Sequence, residues 1–268
     1  MLKIDQYAYI NRLAHVHPLE KMVLALVTMI ICLVFSSPAT SLIVILSMAG
    51  MAILLARIPA SFFLKLMLAP VAFLLLSVLT VAFVWVKDPA GLLWGFNVGC
   101  YTVGVTSRGL ITAGDLFLKS LGAVACLYFL SLTTPMVDIL SVLKALRLPP
   151  LFIELMSLVY RFIFVLLDTA DKIYTSQASR WGYATMKTSY SSLGQLVSNL
   201  FTKAGRNYQM LYTTLTSRCY TGELNVLESS HVLSRKNLFL IILFEAALLL
   251  ASMHLAGFLT PFAGGAGS

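Results

Sequence analysis

Residues 22–56 contain 35 consecutive positions without a single Asp, Glu, Lys or Arg. No water-soluble domain has use for such a stretch, because a run of that length cannot alternate between a core face and a solvent face. About 20 apolar residues suffice to cross a bilayer core as a helix, so this run is long enough for two crossings. Ser36-Ser37-Pro38 places polar groups and a missing N–H where a turn between them belongs. Further uncharged runs at 66–86, 120–137 and 246–268 repeat the signal. The composition agrees: 59% of the residues are hydrophobic and 11% charged, against about a quarter charged in soluble domains. Continuous runs rather than ten-residue alternating segments also exclude a transmembrane β-barrel. The fold class is therefore an all-α integral membrane protein.

Spans are expected at about 20–35, 40–56, 62–86, 107–132 and 237–259. The third contains Pro70, tolerable in a membrane helix if its neighbours satisfy the freed carbonyl. Residues 87–106 are apolar but rich in Gly and Pro and read as a loop or re-entrant piece. Thr133-Thr134-Pro135 stops the fourth span and offers a helix start to the next element. Three domains result: a membrane domain over 1–132, a helical block over 133–237, and a last span with a Gly-rich tail over 238–268.

Charge orients this arrangement. The amino-terminal segment carries Lys3, Arg12 and Lys21, the 57–65 turn Arg57 and Lys65, and the 133–237 block eleven basic residues against six acidic ones. The 87–108 loop carries two basic residues with one acid, and five spans with a cytoplasmic amino terminus put every segment rich in basic residues inside and the uncharged tail outside, as the positive-inside rule demands. The formal net charge of +8 is then explained by anionic membrane lipid rather than nucleic acid. The expected location is the cytoplasmic (inner) membrane of a bacterium or archaeon. The four cysteines, Cys32, Cys100, Cys126 and Cys219, are scattered without metal-ligand or redox spacing.

The 133–237 block predicts three helices. The first, around 136–146, has an apolar face and stops before Pro149-Pro150. The second, about 151–180, is apolar in its first half but interrupted by Glu154, Arg161 and Asp168, so a buried cytoplasmic helix fits better than a sixth span. The third keeps apolar residues at three-four spacing from Leu193 to Leu215 before Gly222 can cap it. The two longer helices end alike, in Thr175-Ser-Gln-Ala-Ser179-Arg180 and Thr213-Thr-Leu-Thr-Ser217-Arg218. An Arg in a last turn complements the helix dipole, which is the plain explanation. Two guanidinium groups on equivalent helix tips could also make bidentate pairs with carboxylates of a cytoplasmic partner.

Other polar residues have ordinary readings. His15 and His17 flank an entrance without a third metal ligand. Asp168 and Asp171 share a face, where Lys172 makes a solvated surface the simplest account. Glu245 lies within the last span and is expected to make a buried inter-helix or inter-subunit hydrogen bond before any proton relay. The chain has no G-x-x-x-x-G-K-[ST], so ATP must be handled by another subunit.

The opening Ile4-Asp5-x-Tyr7-Ala8-Tyr9, with Arg12-Leu13 and His17-Pro18-x-Glu20-Lys21, the Thr133-Thr134-Pro135 stop, Arg147-Leu148-Pro149, Tyr160-Arg161 and the paired arginine tips resemble the transmembrane T component of energy-coupling factor (ECF) transporters. The opening is most similar to the cobalt-type branch, and the resemblance covers nearly the whole chain. It implies a non-catalytic scaffold whose two coupling helices sit on an ATP-binding-cassette ATPase dimer and transmit its motion to a small substrate-binding membrane subunit. ATP and Mg would then belong to the partner ATPase, with no cofactor in this chain. The family's coupling motif, Ala-Arg-Gly or a variant, falls on Ser179-Arg180 and Ser217-Arg218, with Gly182 and Gly222 nearby. Trp181 and Cys219 stand where glycine is common, which leaves the local backbone conformation open. Arg147, Pro149, Arg161 and Asp168 are candidates for structural or coupling roles. Two rivals remain: a stand-alone secondary transporter, for which no inverted repeat is visible, and an integral membrane enzyme, for which no convergent polar cluster is visible.

Overall fold

The structure, a computed structural model, describes residues 3–35, 37–86, 92–98, 101–220 and 234–263. A short helix α1 (Lys3–Ile10) and a 3-10 turn (Arg12–His15) lead into α2 (Pro18–Val34). Next come α3 (Pro38–Gly50), prolonged by a π-helical turn (Met51–Leu55), α4 (Ala60–Ala82), three short strands, α5 (Ser107–Thr133), α6 (Met136–Ala145), α7 (Pro150–Ala178), α8 (Met186–Ser217) and α9 (Arg235–Ala263). The helices start at residues that favour a first turn. Pro18, Pro38 and Pro150 each take that position, where a missing N–H costs nothing. His17 caps α2, its Nδ1 accepting from the Leu19 N–H at 3.2 Å.

The helical membrane protein expected from composition is the one the chain forms, with one excursion. Phe83–Val86 (β1), Leu92–Val98 (β2) and Tyr101–Thr106 (β3) pair antiparallel in the order β1-β3-β2, Phe83 opposite Val105 and Val98 opposite Tyr101. This corrects two expectations: the third span ends at Ala82 rather than 86, and the segment read as a loop or re-entrant piece is largely strand. β-branched and aromatic residues such as Val84-Trp85-Val86 and Val103-Gly-Val105 favour extended backbone enough to outweigh the glycines. Residues 87–91 and 99–100 of that segment lie outside the described residues, as does the Gly-rich tail beyond 263.

Among the described residues, five helices are long and apolar enough to cross a membrane: Pro38–Leu55, Ala60–Val78, Gly109–Thr133, Pro150–Ala178 and Arg235–Leu255. The set differs from expectation in two places. Helix α2 has 17 residues, about 26 Å at 1.5 Å per residue, a little short of a 30 Å hydrocarbon core. Helix α7 qualifies through an 18-residue stretch of mean hydropathy 1.9. It carries no buried residue, so the expectation of a helix buried within the cytoplasmic block does not hold. Glu154, Arg161 and Asp168 recur every seven residues and so share one stripe of the helix, which leaves the rest of its surface apolar, and Leu151, Leu155, Val159 and Ile163 are all exposed in the single chain.

Two compact units emerge, Leu2–Pro135 with Ser230–Ser268 and Met136–Ser229. In the first, α5 is central, packed by α2, α3 and α4, while α9 lies on α2 and α3. The core gathers Ile31 and Cys32, Val44 and Met48, Phe63 and Met67, and Ala125, Cys126, Phe129 and Leu132. Small residues let the backbones approach: a Cβ on Gly122 would meet Cys32 Sγ at 2.7 Å. Buried polar side chains tie the helices together. Thr28 of α2 donates to Glu245 Oε1 of α9 at 2.7 Å, the inter-helix bond expected of that carboxylate.

Candidate functional site

The second unit is built on α7 and α8, and its two helix ends are constructed alike. In α7, Ser179 Oγ donates to Thr175 O at 2.9 Å and the Arg180 N–H to Gln177 O at 3.1 Å. Thirty-eight residues on, Ser217 Oγ donates to Thr213 O at 2.8 Å and the Arg218 N–H to Leu215 O at 3.0 Å. The chain then turns out of each helix through a residue in the left-handed region, Trp181 at φ 60° and Cys219 at φ 55°. Both turns close with the pair of bonds of a Schellman cap: Trp181 to Ala178 at 3.1 Å and Gly182 to Gln177 at 2.9 Å, Cys219 to Thr216 and Tyr220 to Leu215 at 3.1 Å each. Trp181 and Cys219 thus hold the conformation a glycine would take, which resolves the question their identity raised.

This construction explains the T-x-x-x-S-R spacing. Each Ser bonds back to the Thr four residues earlier, which ends the helix at a defined residue and leaves the arginine as the last side chain before the reversal. Arg180 and Arg218 are exposed. Neither guanidinium meets a carboxylate among the described residues.

The elbow between the helices is rigid for a different reason. Gln177 Nε2 donates to Ser192 O at 3.0 Å, Ser192 Oγ to Gly182 O at 2.8 Å, and Tyr183 Oη to Gln177 Oε1 at 2.8 Å. The Tyr174 and Tyr183 rings meet at 4.7 Å. Gly182 is required by space: a Cβ there would lie 2.8 Å from both Gln177 O and Ser192 Oγ. Thr185 then caps α8 in a reciprocal pairing with Thr188. At the far end of α8, Tyr220 donates to Glu154 near the start of α7. The helices therefore run back along one another, and the two arginines sit at opposite ends of the pair. Ser192, beside the first tip, and Arg218 are 26 positions apart, roughly 40 Å along a helix axis.

The remaining sequence candidates separate clearly. Arg147, at φ 61°, ends α6 with the same kind of cap, Leu148 donating to Leu143 O at 3.4 Å, and Pro149 leads into α7. Arg161 is exposed along α7. Asp168 accepts from Lys172 at 2.6 Å with both side chains largely in solvent, in keeping with a solvated face. Gly222 lies outside the described residues. Sequence reasoning missed Gln177, Tyr183, Ser192, Glu154 and Tyr220, because their partners lie on another element and no spacing along the chain marks them.

The family model for cobalt transport protein CbiQ matches residues 11–228. The chain belongs to the CbiQ family. The cobalt transport protein CbiQ of Salmonella typhimurium is 36% identical over 226 residues, covering 84% of this chain and all of that one. The energy-coupling factor transporter transmembrane protein EcfT of Ruminiclostridium cellulolyticum is 28% identical over 233 residues, 82% of this chain and 84% of that one. A putative fused cobalt transport protein, CbiMQ, of Methanocorpusculum labreanum is 36% identical over 163 residues, 60% of this chain and 27% of that longer one. Membership in the CbiQ family, these relatives and the apolar helices together make this a multi-pass membrane component of an ECF-type transporter.

Proposed function

We propose that this chain is the coupling subunit of an ATP-driven ECF importer, with cobalt ions as the transported substrate. The observation that carries the reading is the pair of identically capped helix ends, each presenting an arginine without a carboxylate partner among the described residues, at opposite ends of one rigid helix pair. A dimeric ATPase offers two equivalent surfaces, and two equivalent basic tips on a stiff connector suit it. Each guanidinium would pair bidentately with carboxylates of one ATPase subunit. Closing and opening of the dimer would then move α7 and α8 as a body, because the elbow at Gly182 and the Tyr220–Glu154 bond resist bending between them. ATP and Mg belong to those ATPase subunits. The exposed apolar residues of α7 need cover in the assembly, and a small substrate-binding membrane subunit is the partner whose chemistry fits. The fused CbiMQ relative, in which a region similar to this chain is joined to a further segment, supports a membrane partner. Cobalt is the substrate named for the CbiQ relatives. A cytoplasmic amino terminus and a cytoplasmic block over 133–237 belong to this reading, and the distribution of basic residues supports it.

Affinity purification of the full chain from its own membrane tests the proposal. A P-loop ATPase and a small hydrophobic subunit should co-purify, and cells should take up cobalt in an ATP-dependent manner. The double variant Arg180→Glu/Arg218→Glu should insert normally and lose the ATPase. Normal cobalt uptake by that variant would overturn the coupling role.

A further inference from the structure

Where α1 meets the end of α3, the membrane unit holds a cleft of about 530 Å³ lined by Tyr7, Ile10, Asn11, Arg12, Arg57 and Ile58. The Arg12 N–H donates to Ala56 O at 3.4 Å, so backbone pairing holds the two arginine-bearing segments side by side. The floor is fixed as well. Asn11 is buried, and its Nδ2 donates to Ala8 O at 2.7 Å, Leu132 O at 3.2 Å and Thr133 O at 3.3 Å. The Tyr7 ring packs on Phe62 at 4.5 Å. Both arginines are exposed, and no carboxylate pairs with either among the described residues. Arg57 has φ 55°, a conformation that glycine or asparagine would adopt with less strain, yet a long cationic side chain occupies it.

We propose that this cleft binds the phosphate of an anionic phospholipid headgroup. The Arg12–Ala56 bond keeps Arg12 beside Arg57, two residues after the candidate span Pro38–Leu55, so both arginines lie by the end of one membrane crossing, where headgroups would meet them. Two guanidinium groups without carboxylate partners match a phosphodiester in charge and geometry, and basic pockets between membrane helices are a recurrent lipid-binding arrangement. Ile10, which lines the cleft, is 79% exposed, and Leu54 and Leu55, which precede its lining residue Ala56 in the chain, are 73% and 51% exposed; they suit the glycerol and first acyl carbons. The site does not depend on the coupling role.

Native mass spectrometry of the full-length chain, released from detergent with phosphatidylglycerol, phosphatidylcholine or inorganic phosphate as probe, tests the assignment. Phosphatidylglycerol should be retained over phosphatidylcholine. Loss of one arginine should weaken retention roughly fivefold, and Arg12→Gln with Arg57→Gly about thirtyfold. Arg57→Gly alone separates binding from folding: glycine suits φ 55°, so lipid-free thermal stability should hold or rise while phosphatidylglycerol retention falls. Equal retention of the two lipids, unchanged retention by the double variant, or joint loss of stability and retention in Arg57→Gly would overturn the proposal. So would displacement of phosphatidylglycerol by inorganic phosphate alone, which would assign the cleft to a free anion.

Discussion

Among the described residues, four that are not glycine have a positive φ, and each comes after a helix: Arg57, Arg147, Trp181 and Cys219. The left-handed conformation costs an L-residue about 1–2 kcal/mol, offset here because the reversal satisfies carbonyls at the helix end. Replacing Trp181 or Cys219 by glycine should therefore stabilise the chain by about 1 kcal/mol each, read as a raised unfolding midpoint in detergent. Trp181→Val should lower it. Gly182 behaves oppositely, since its constraint is space. Gly182→Ala drives a Cβ against Gln177 O and Ser192 Oγ, both at 2.8 Å, and should cost about 1–3 kcal/mol. Limited proteolysis in the 181–185 turn should then accelerate, and unchanged cleavage would refute the tight elbow. The arginine positions were legible from the repeated motif. The turn conformation was not, because tryptophan and cysteine give no sign of a glycine-like backbone.

Within the membrane unit, adjacent residues of α2 hold elements far away in sequence. Glu20 Oε1 accepts from the Ser234 N–H at 3.0 Å, at the start of α9, and Lys21 Nζ donates to Leu13 O at 3.2 Å and Thr133 O at 2.9 Å, at the end of α5. Both side chains are buried. Lys21→Met would leave two carbonyls without that donor and should destabilise the unit by about 2–3 kcal/mol, with a lower midpoint in denaturant titration of the full chain. A wild-type midpoint would show that water replaces the ammonium. Charge at this position reads from sequence only as a positive-inside signal. Its structural use depends on α5 ending beside it, which no local pattern reveals. Helix α7 shows the converse: its apolar run was plain, but whether that face is covered within the chain is a tertiary fact.

At the scale of the molecule, the roughly 40 Å along α8 between the arginine tips has an energetic consequence. Sites so far apart act independently. Arg180→Glu and Arg218→Glu should each weaken ATPase association by a similar factor, with losses that add in free energy for the double variant, measured by titrating the ATPase onto the reconstituted chain. Strong non-additivity would mean that one tip carries the contact. Raising salt should weaken association further, since both tips are solvent-exposed.

Sequence alone determined that this chain lives in a membrane, that it is helical, and that two helices end in the same arginine motif. Those properties arise from apolar run length and from hydrogen bonds spanning four residues or fewer, so they are written locally. Tertiary structure decided the rest: the sheet between α4 and α5, the left-handed turns at Trp181 and Cys219, the crowding at Gly182 and Gly122, and the pairing of Arg12 with the Arg57 turn. Each of these depends on which distant segments come within a few ångströms of one another, and only the packed helices set that.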